Sequence, residues 1–147
     1  MGCAPSMSLI DRVIIFHSTS QFRAHIKASK SSKKLMVIDF SASWCGRGPC
    51  RYTEPLIIEL ADKYSEVDFI KIDVDELPAV SRDFGIQAMP TFVLLKNGKE
   101  VDKVVGANMD ELQWKLRSIE LSTETMISNS TQSLSQSSCD VCWYVRK

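Results

Sequence analysis

Leu35-Met36-Val37-Ile38-Asp39-Phe40, and then, after Ser41-Ala42-Ser43-Trp44, the run Cys45-Gly46-Arg47-Gly48-Pro49-Cys50: the reading of this chain turns on that stretch. The first six residues are nearly continuous in apolar character, the pattern of a strand buried on both faces. Beyond Pro49, the residues Leu56, Ile57, Leu60, Ala61 and Tyr64 keep helical spacing. Proline is well placed at the first position of a helix, because the N–H it lacks is not needed there. The two cysteines therefore stand where a buried strand hands over to an amphipathic helix.

That position has chemical meaning. Only the thiolate attacks a disulfide. A free cysteine ionises near pH ~8.5, and the partial positive charge of a helix N-terminus can lower this to about 7. A second cysteine nearby resolves the mixed disulfide that the first one forms. Spacing constrains the geometry. Residues five apart in a regular helix have Cα atoms roughly 8.6 Å apart, beyond the ~7 Å reach of a disulfide. Residues 45–50 therefore cannot all be helical if the two cysteines bond. Gly46 and Gly48 are expected to permit a looped turn through positive φ, with Pro49 restarting the helix.

Working outward, Val13-Ile14-Ile15-Phe16 reads as a short strand, and Phe22 with Ile26 as a helix. Val67 to Val74 is strand-like, and Leu77 to Phe84 is a short helix with Pro78 near its start. Thr91 to Leu95 and Val101 to Val105 flank Asn97-Gly98, a strong hairpin signal. Asn108, with Glu111 three residues on, resembles a capping box, and Leu112, Leu116 and Ile119 carry the last helix. The order β-α-β-α-β-α-β-β-α predicts an α/β domain. Its sheet is mixed, with helices on both faces: crossovers give parallel pairs, and the terminal hairpin adds antiparallel strands.

The chain has 147 residues, 44% of them hydrophobic, with 18 basic and 18 acidic residues and no net charge. The length suits one domain plus some tail, and the balanced charge argues against a nucleic-acid partner. No apolar run approaches the ~18 residues of a membrane span. No secretory signal is evident, so the expected compartment is the reducing cytoplasm. Three zones are expected: an N-terminal arm over residues 1–9, a folded domain over 10–120, and a Ser-rich, disordered tail over 121–147. Met1-Gly2-Cys3-Ala4-Pro5-Ser6 fits the pattern for N-myristoylation of Gly2, with Cys3 as a palmitoylation candidate. Two such chains would give peripheral membrane anchoring. Cys139-Asp140-Val141-Cys142 in the tail reads as incidental, and no metal site is expected from the two cysteine pairs.

Val37-Ile38-Asp39-Phe40-Ser41-Ala42-Ser43-Trp44-Cys45-Gly46 and Pro49-Cys50-Arg51 closely resemble the active-site region of plant h-type thioredoxins. Further matches are Phe69-Ile70-Lys71-Ile72-Asp73-Val74-Asp75-Glu76-Leu77, Ala88-Met89-Pro90-Thr91-Phe92-Val93 and Val105-Gly106-Ala107. The resemblance spans about residues 10–120 and implies the thioredoxin fold. It also implies a protein-disulfide reductase that needs no bound cofactor and is recharged by thioredoxin reductase or glutaredoxin. By position, Cys45 resembles the attacking nucleophile and Cys50 the resolving thiol that forms a disulfide with it. Asp39 resembles the buried proton-transfer carboxylate and Lys71 its supporting lysine. Pro90 resembles the family's cis-proline, and Trp44, Met89, Pro90, Gly106 and Ala107 resemble its client-binding surface. The departure is Arg47-Gly48, two residues that the family's Trp-Cys-Gly-Pro-Cys lacks. They are expected to distance the nucleophile from its helix and lower efficiency. The alternative is a thioredoxin-fold binding or chaperone-like module with weakened turnover.

Overall fold

The computed structural model describes residues 12–128, the side chains of residues 123–128 excepted. Gly2, Cys3, Cys139 and Cys142 lie outside the described residues. Two compact units divide the described chain, one ending at Lys115 and the other beginning at Leu116.

The first unit is built on five strands: β1 (Val13–Ile15), β2 (Leu35–Ser41), β3 (Asp68–Asp73), β4 (Thr91–Lys96) and β5 (Lys99–Val105). Their order in the sheet is β1-β3-β2-β4-β5. The pairs β1/β3 and β2/β3 are parallel, and β2/β4 and β4/β5 are antiparallel. The expected mixed α/β sheet is the one found. Helices α1 (Thr19–Ser29), α2 (Pro49–Lys63) and α3 (Pro78–Asp83) connect the strands, and α4 (Met109–Ser128) follows β5.

All seven residues of β2 are buried, as its unbroken apolar run requires. Side chains alternate across the sheet. Met36, Ile38 and Phe40 pack on one face with Phe22 of α1 and with Leu77 and Val80 at α3. Val37, Asp39 and Ser41 point to the other face, where Ile57 and Ile58 of α2 lie beside Asp39. Between β2 and α2, a 3₁₀ turn over Ser43–Arg47 carries the chain from the C-terminal end of the central strand to the helix.

The β4–β5 turn matches its sequence signal. Asn97 and Gly98 have φ of 56° and 74°, the two positive values that a tight two-residue hairpin needs. Gly98→Ala would hold a β-carbon at that positive φ, 2.5 Å from Lys30 Cγ. The lysine is flexible and can swing aside, so the backbone dominates the cost, about 1–2 kcal/mol. The expected result is a lower urea midpoint with an unchanged slope, and an unchanged midpoint would contradict it. A register shift between Leu94 and Leu95 puts a bulge in this pair, and β5 forms one edge of the sheet with Lys99, Glu100 and Val101 exposed.

At the start of α4, Asn108 Oδ1 accepts the Glu111 N–H at 3.2 Å, and Asn108 Nδ2 donates to Glu111 Oε2 at 3.0 Å. The cap is therefore present, with its return bond made to a side chain rather than to the backbone. Lys115 Nζ fastens these turns to β5, donating to Asp102 Oδ1 at 2.8 Å and to the Lys103 carbonyl at 3.0 Å. The tail was expected from residue 121, but α4 runs to Ser128. Its 20 residues contain neither glycine nor proline, and serine and threonine weaken a helix without stopping it.

Candidate active site

Cys45 lies inside the 3₁₀ turn and Cys50 in the first turn of α2. They are joined by a disulfide, with Cα atoms 5.5 Å apart, well below the value a continuous helix would impose. Three backbone bonds tighten the path: Cys45 N–H to the Ala42 carbonyl at 3.0 Å, Gly48 N–H to the Cys45 carbonyl at 2.8 Å, and Arg51 N–H to the Gly48 carbonyl at 3.1 Å. The break falls at Gly48, with φ −123° and ψ −141°. Neither Gly46 nor Gly48 takes the positive φ expected from the sequence. A tighter helix form, with bonds three residues apart, draws the cysteines together instead.

Both cysteines are nearly covered, Cys45 at 4% and Cys50 at 8% exposure, and they pack with Ala42, Val74 and Met89. Trp44 stands out at 63% exposure, its indole Nε1 donating to Asp75 Oδ2 at 3.0 Å. The Met89-Pro90 peptide bond is cis, and the Pro90 carbonyl accepts the Gly106 N–H at 2.8 Å. One bond thus ties the segment holding Met89 to the end of β5, where Ala107 is exposed.

Asp39 lies on β2 opposite Lys71 of β3, in parallel register. A cavity of about 330 Å³ is lined by Asp39, Cys50, Glu54 and Lys71, with His17 and Glu76 also in its wall. Lys71 Nζ donates to Glu54 Oε1 at 2.7 Å, and His17 Nδ1 lies 2.7 Å from Glu76 Oε1. Asp39 Oδ1 is buried with no hydrogen-bond partner among the described residues. Burial pushes the Asp39 carboxyl up to about 7; the Lys71 ammonium opposes this, and the Glu54 carboxylate adds to it.

The site therefore brings together Cys45, Cys50, Asp39 and Lys71, with Met89 against the sulfur pair and Trp44 beside it. The sequence reading overlooked Glu54, although a helix places the residue four after Cys50 on the same face. His17 reads from the sequence as an ordinary histidine with no role, and Asp75 stands within the matching run Phe69–Leu77 without a role assigned to it. Among the described residues, no group of three or more His, Cys, Asp or Glu side chains is placed to hold a metal ion.

A sulfur–sulfur bond of which one cysteine, Cys50, shares a cavity with a carboxyl that burial pushes up to about 7 can be made and broken reversibly, and this defines a thiol–disulfide oxidoreductase. The Thioredoxin sequence profile matches residues 13–118, and the chain belongs to the thioredoxin family. It is 53% identical over 105 residues to Thioredoxin H2 of Arabidopsis thaliana, covering 71% of this chain and 77% of the relative. It is 52% identical over 106 residues to Thioredoxin H2-2 of rice (Oryza sativa subsp. japonica), covering 71% and 78%. Among solved structures, the thioredoxin NaTrxh of Nicotiana alata superposes with a TM-score of 0.70 at 55% identity, covering 73% of this chain and 91% of that one. The activity is protein-disulfide reduction of the thioredoxin type, for which thioredoxin reductase is the family's usual electron donor. No helix among the described residues is long and apolar enough to cross a membrane.

Proposed function

We propose that Cys45 and Cys50 are the working dithiol and divide the reaction between them. The observation that carries this reading is that Cys50, bonded to Cys45, lines the cavity it shares with Asp39. The Cys45 thiolate attacks one sulfur of a client disulfide, forming a mixed disulfide and releasing one client thiolate. The Asp39 carboxylate takes the Cys50 proton across the cavity. The Cys50 thiolate then attacks Cys45 Sγ, and the second client thiolate leaves. Client and protein exchange two electrons, and the protein is left as the disulfide. Lys71 holds Glu54 and faces Asp39, so it moderates how strongly that carboxyl keeps its proton. Trp44, Met89, Pro90, Gly106 and Ala107 form the surface on which the client chain rests, linked by the Pro90–Gly106 bond.

The low exposure of Cys45 favours a second reading, in which Arg47-Gly48 leaves a client-binding module with slow turnover. Reduction of insulin by the full chain with thioredoxin reductase and NADPH separates the two. Rates comparable to those of the Arg47-Gly48 deletion support the reductase. Activity only in the deletion supports the binding module. Acylation at Gly2 and Cys3, and with it peripheral membrane association of an otherwise cytoplasmic chain, is supported by the sequence pattern alone.

A further inference from the structure

Two guanidinium groups stand unengaged beside the sulfur pair. Arg47 is exposed, two residues after Cys45 and three before Cys50. Two peptide units hold its Cα within about 7.6 Å of the Cys45 Cα, and the Gly48–Cys45 backbone bond closes the turn that carries it. Arg51 follows Cys50 directly and is also exposed. Neither side chain makes an ion pair or hydrogen bond among the described residues.

The nearby carboxylates of Asp73, Asp75, Glu54 and Glu76 belong to other segments and each has a hydrogen-bond partner, though Lys71 on Glu54 is the one lysine among those partners. Asp75 accepts from Trp44, Glu54 from Lys71, and Glu76 faces His17. Asp73 Oδ1 accepts the N–H groups of Asp75 and Glu76 at 2.8 and 3.3 Å. On residues 42–51, the segment that carries both sulfurs, Arg47 and Arg51 are the only charged side chains, so the charge borne by that segment is positive.

We propose that Arg47, backed by Arg51, is a specificity-determining residue that favours disulfides flanked by carboxylates over those flanked by cations. The proposal rests on the dithiol reading above and adds to it the class of substrate. Each exchange is the one already written: the Cys45 thiolate displaces one thiolate of the small disulfide, and Cys50 displaces the other. Arg47 takes no part in the bond changes. A carboxylate about 7 Å from one cation in water gains enough to speed the encounter about threefold, and the same charge reversed slows it as much.

The test uses the full chain with its dithiol reduced beforehand and freed of reductant, in single turnover at low ionic strength. Three disulfides of matched length serve as probes: dithiodipropionate, a dianion; hydroxyethyl disulfide, uncharged; and cystamine, a dication. With each rate divided by that of the same disulfide with free 2-mercaptoethanol, which cancels the unequal leaving thiols, the expected order is anion over neutral over cation. In Arg47→Glu the anion-to-cation ratio falls about tenfold or more while the hydroxyethyl disulfide rate holds. Arg47→Ala should lie between, and high salt should level the three normalised rates in the parent chain. An unchanged ratio in Arg47→Glu overturns the proposal. So does an equal fall in all three rates, which would make Arg47 an element of turn shape. Failure of the parent chain to exchange with hydroxyethyl disulfide defeats the dithiol reading itself, a distinct outcome.

Discussion

Cys45→Ser is expected to remove insulin reduction, with a loss on the order of a thousandfold or more, the scale seen when a nucleophile is deleted. A serine hydroxyl ionises far above neutral pH and cannot replace a thiolate. Cys50→Ser is expected to lose turnover as well, but to leave a different product. Its Cys45 still attacks the client, nothing releases the mixed disulfide, and a covalent complex accumulates that a reducing agent dissolves. The pair of variants thus assigns the two roles separately. A trapped complex in Cys45→Ser, with none in Cys50→Ser, would exchange the roles proposed for the two cysteines. In the reduced protein either change buries a hydroxyl where the thiols pack with Ala42, Val74 and Met89, so a stability loss of about 1–3 kcal/mol is expected beside the loss of activity.

Asp39→Asn is expected to move stability and catalysis in opposite directions. The unfolded carboxyl titrates near its ordinary value of 3.8, and the native one near about 7. Between those values the native state keeps a proton that the unfolded state has released, so raising the pH across this window favours unfolding. The penalty is absent below about pH 4, grows through the window and is complete above about pH 7, where it reaches about 4 kcal/mol. An asparagine stays neutral throughout. The variant should therefore match the parent in urea unfolding near pH 4 and exceed it by a few kcal/mol at pH 8. Its reduction rate at neutral pH should fall by about a hundredfold, the low end for loss of a general base, and the inflection near pH 7 should vanish from its rate profile. A variant that keeps the parent's pH dependence of stability would show that Asp39 does not titrate in this window.

Much of this was legible beforehand, and the reasons are local. β2 announces itself because a strand covered on both faces must be apolar throughout, and the β4–β5 turn because only a few residue types accept two consecutive positive φ values. The cysteines were legible as a pair from their place between strand and helix. Their closure was less so. Spacing excluded a continuous helix but did not choose between a glycine-dependent loop and a 3₁₀ turn, since both bring the sulfurs together. Glu54 was concealed by its context, because a charged residue on an amphipathic helix ordinarily faces solvent, and only the three-dimensional placement of Lys71 reveals its second role. The end of α4 was misplaced because serine density suggests disorder, while helix persistence depends on the absence of a breaker.

The bulge between β4 and β5 has a bearing on how the molecule behaves in a crowded solution. An edge strand carries unpaired backbone groups that can recruit the edge of another molecule. Here Val101 and Val105 are exposed apolar residues on such an edge, which would make it adhesive if it were flat. The bulge leaves Val101 without a direct partner on β4, and a bulge bends and twists the strand that bears it. Lys99, Glu100, Asp102 and Lys103 intersperse charge along it, and Lys103 Nζ fastens its middle to the Phe84 carbonyl at 2.7 Å. A partner strand laid along β5 would meet a bent, charged margin that it could follow for only a few residues. The edge is thereby guarded against sheet-to-sheet aggregation, whichever redox state the cysteines are in.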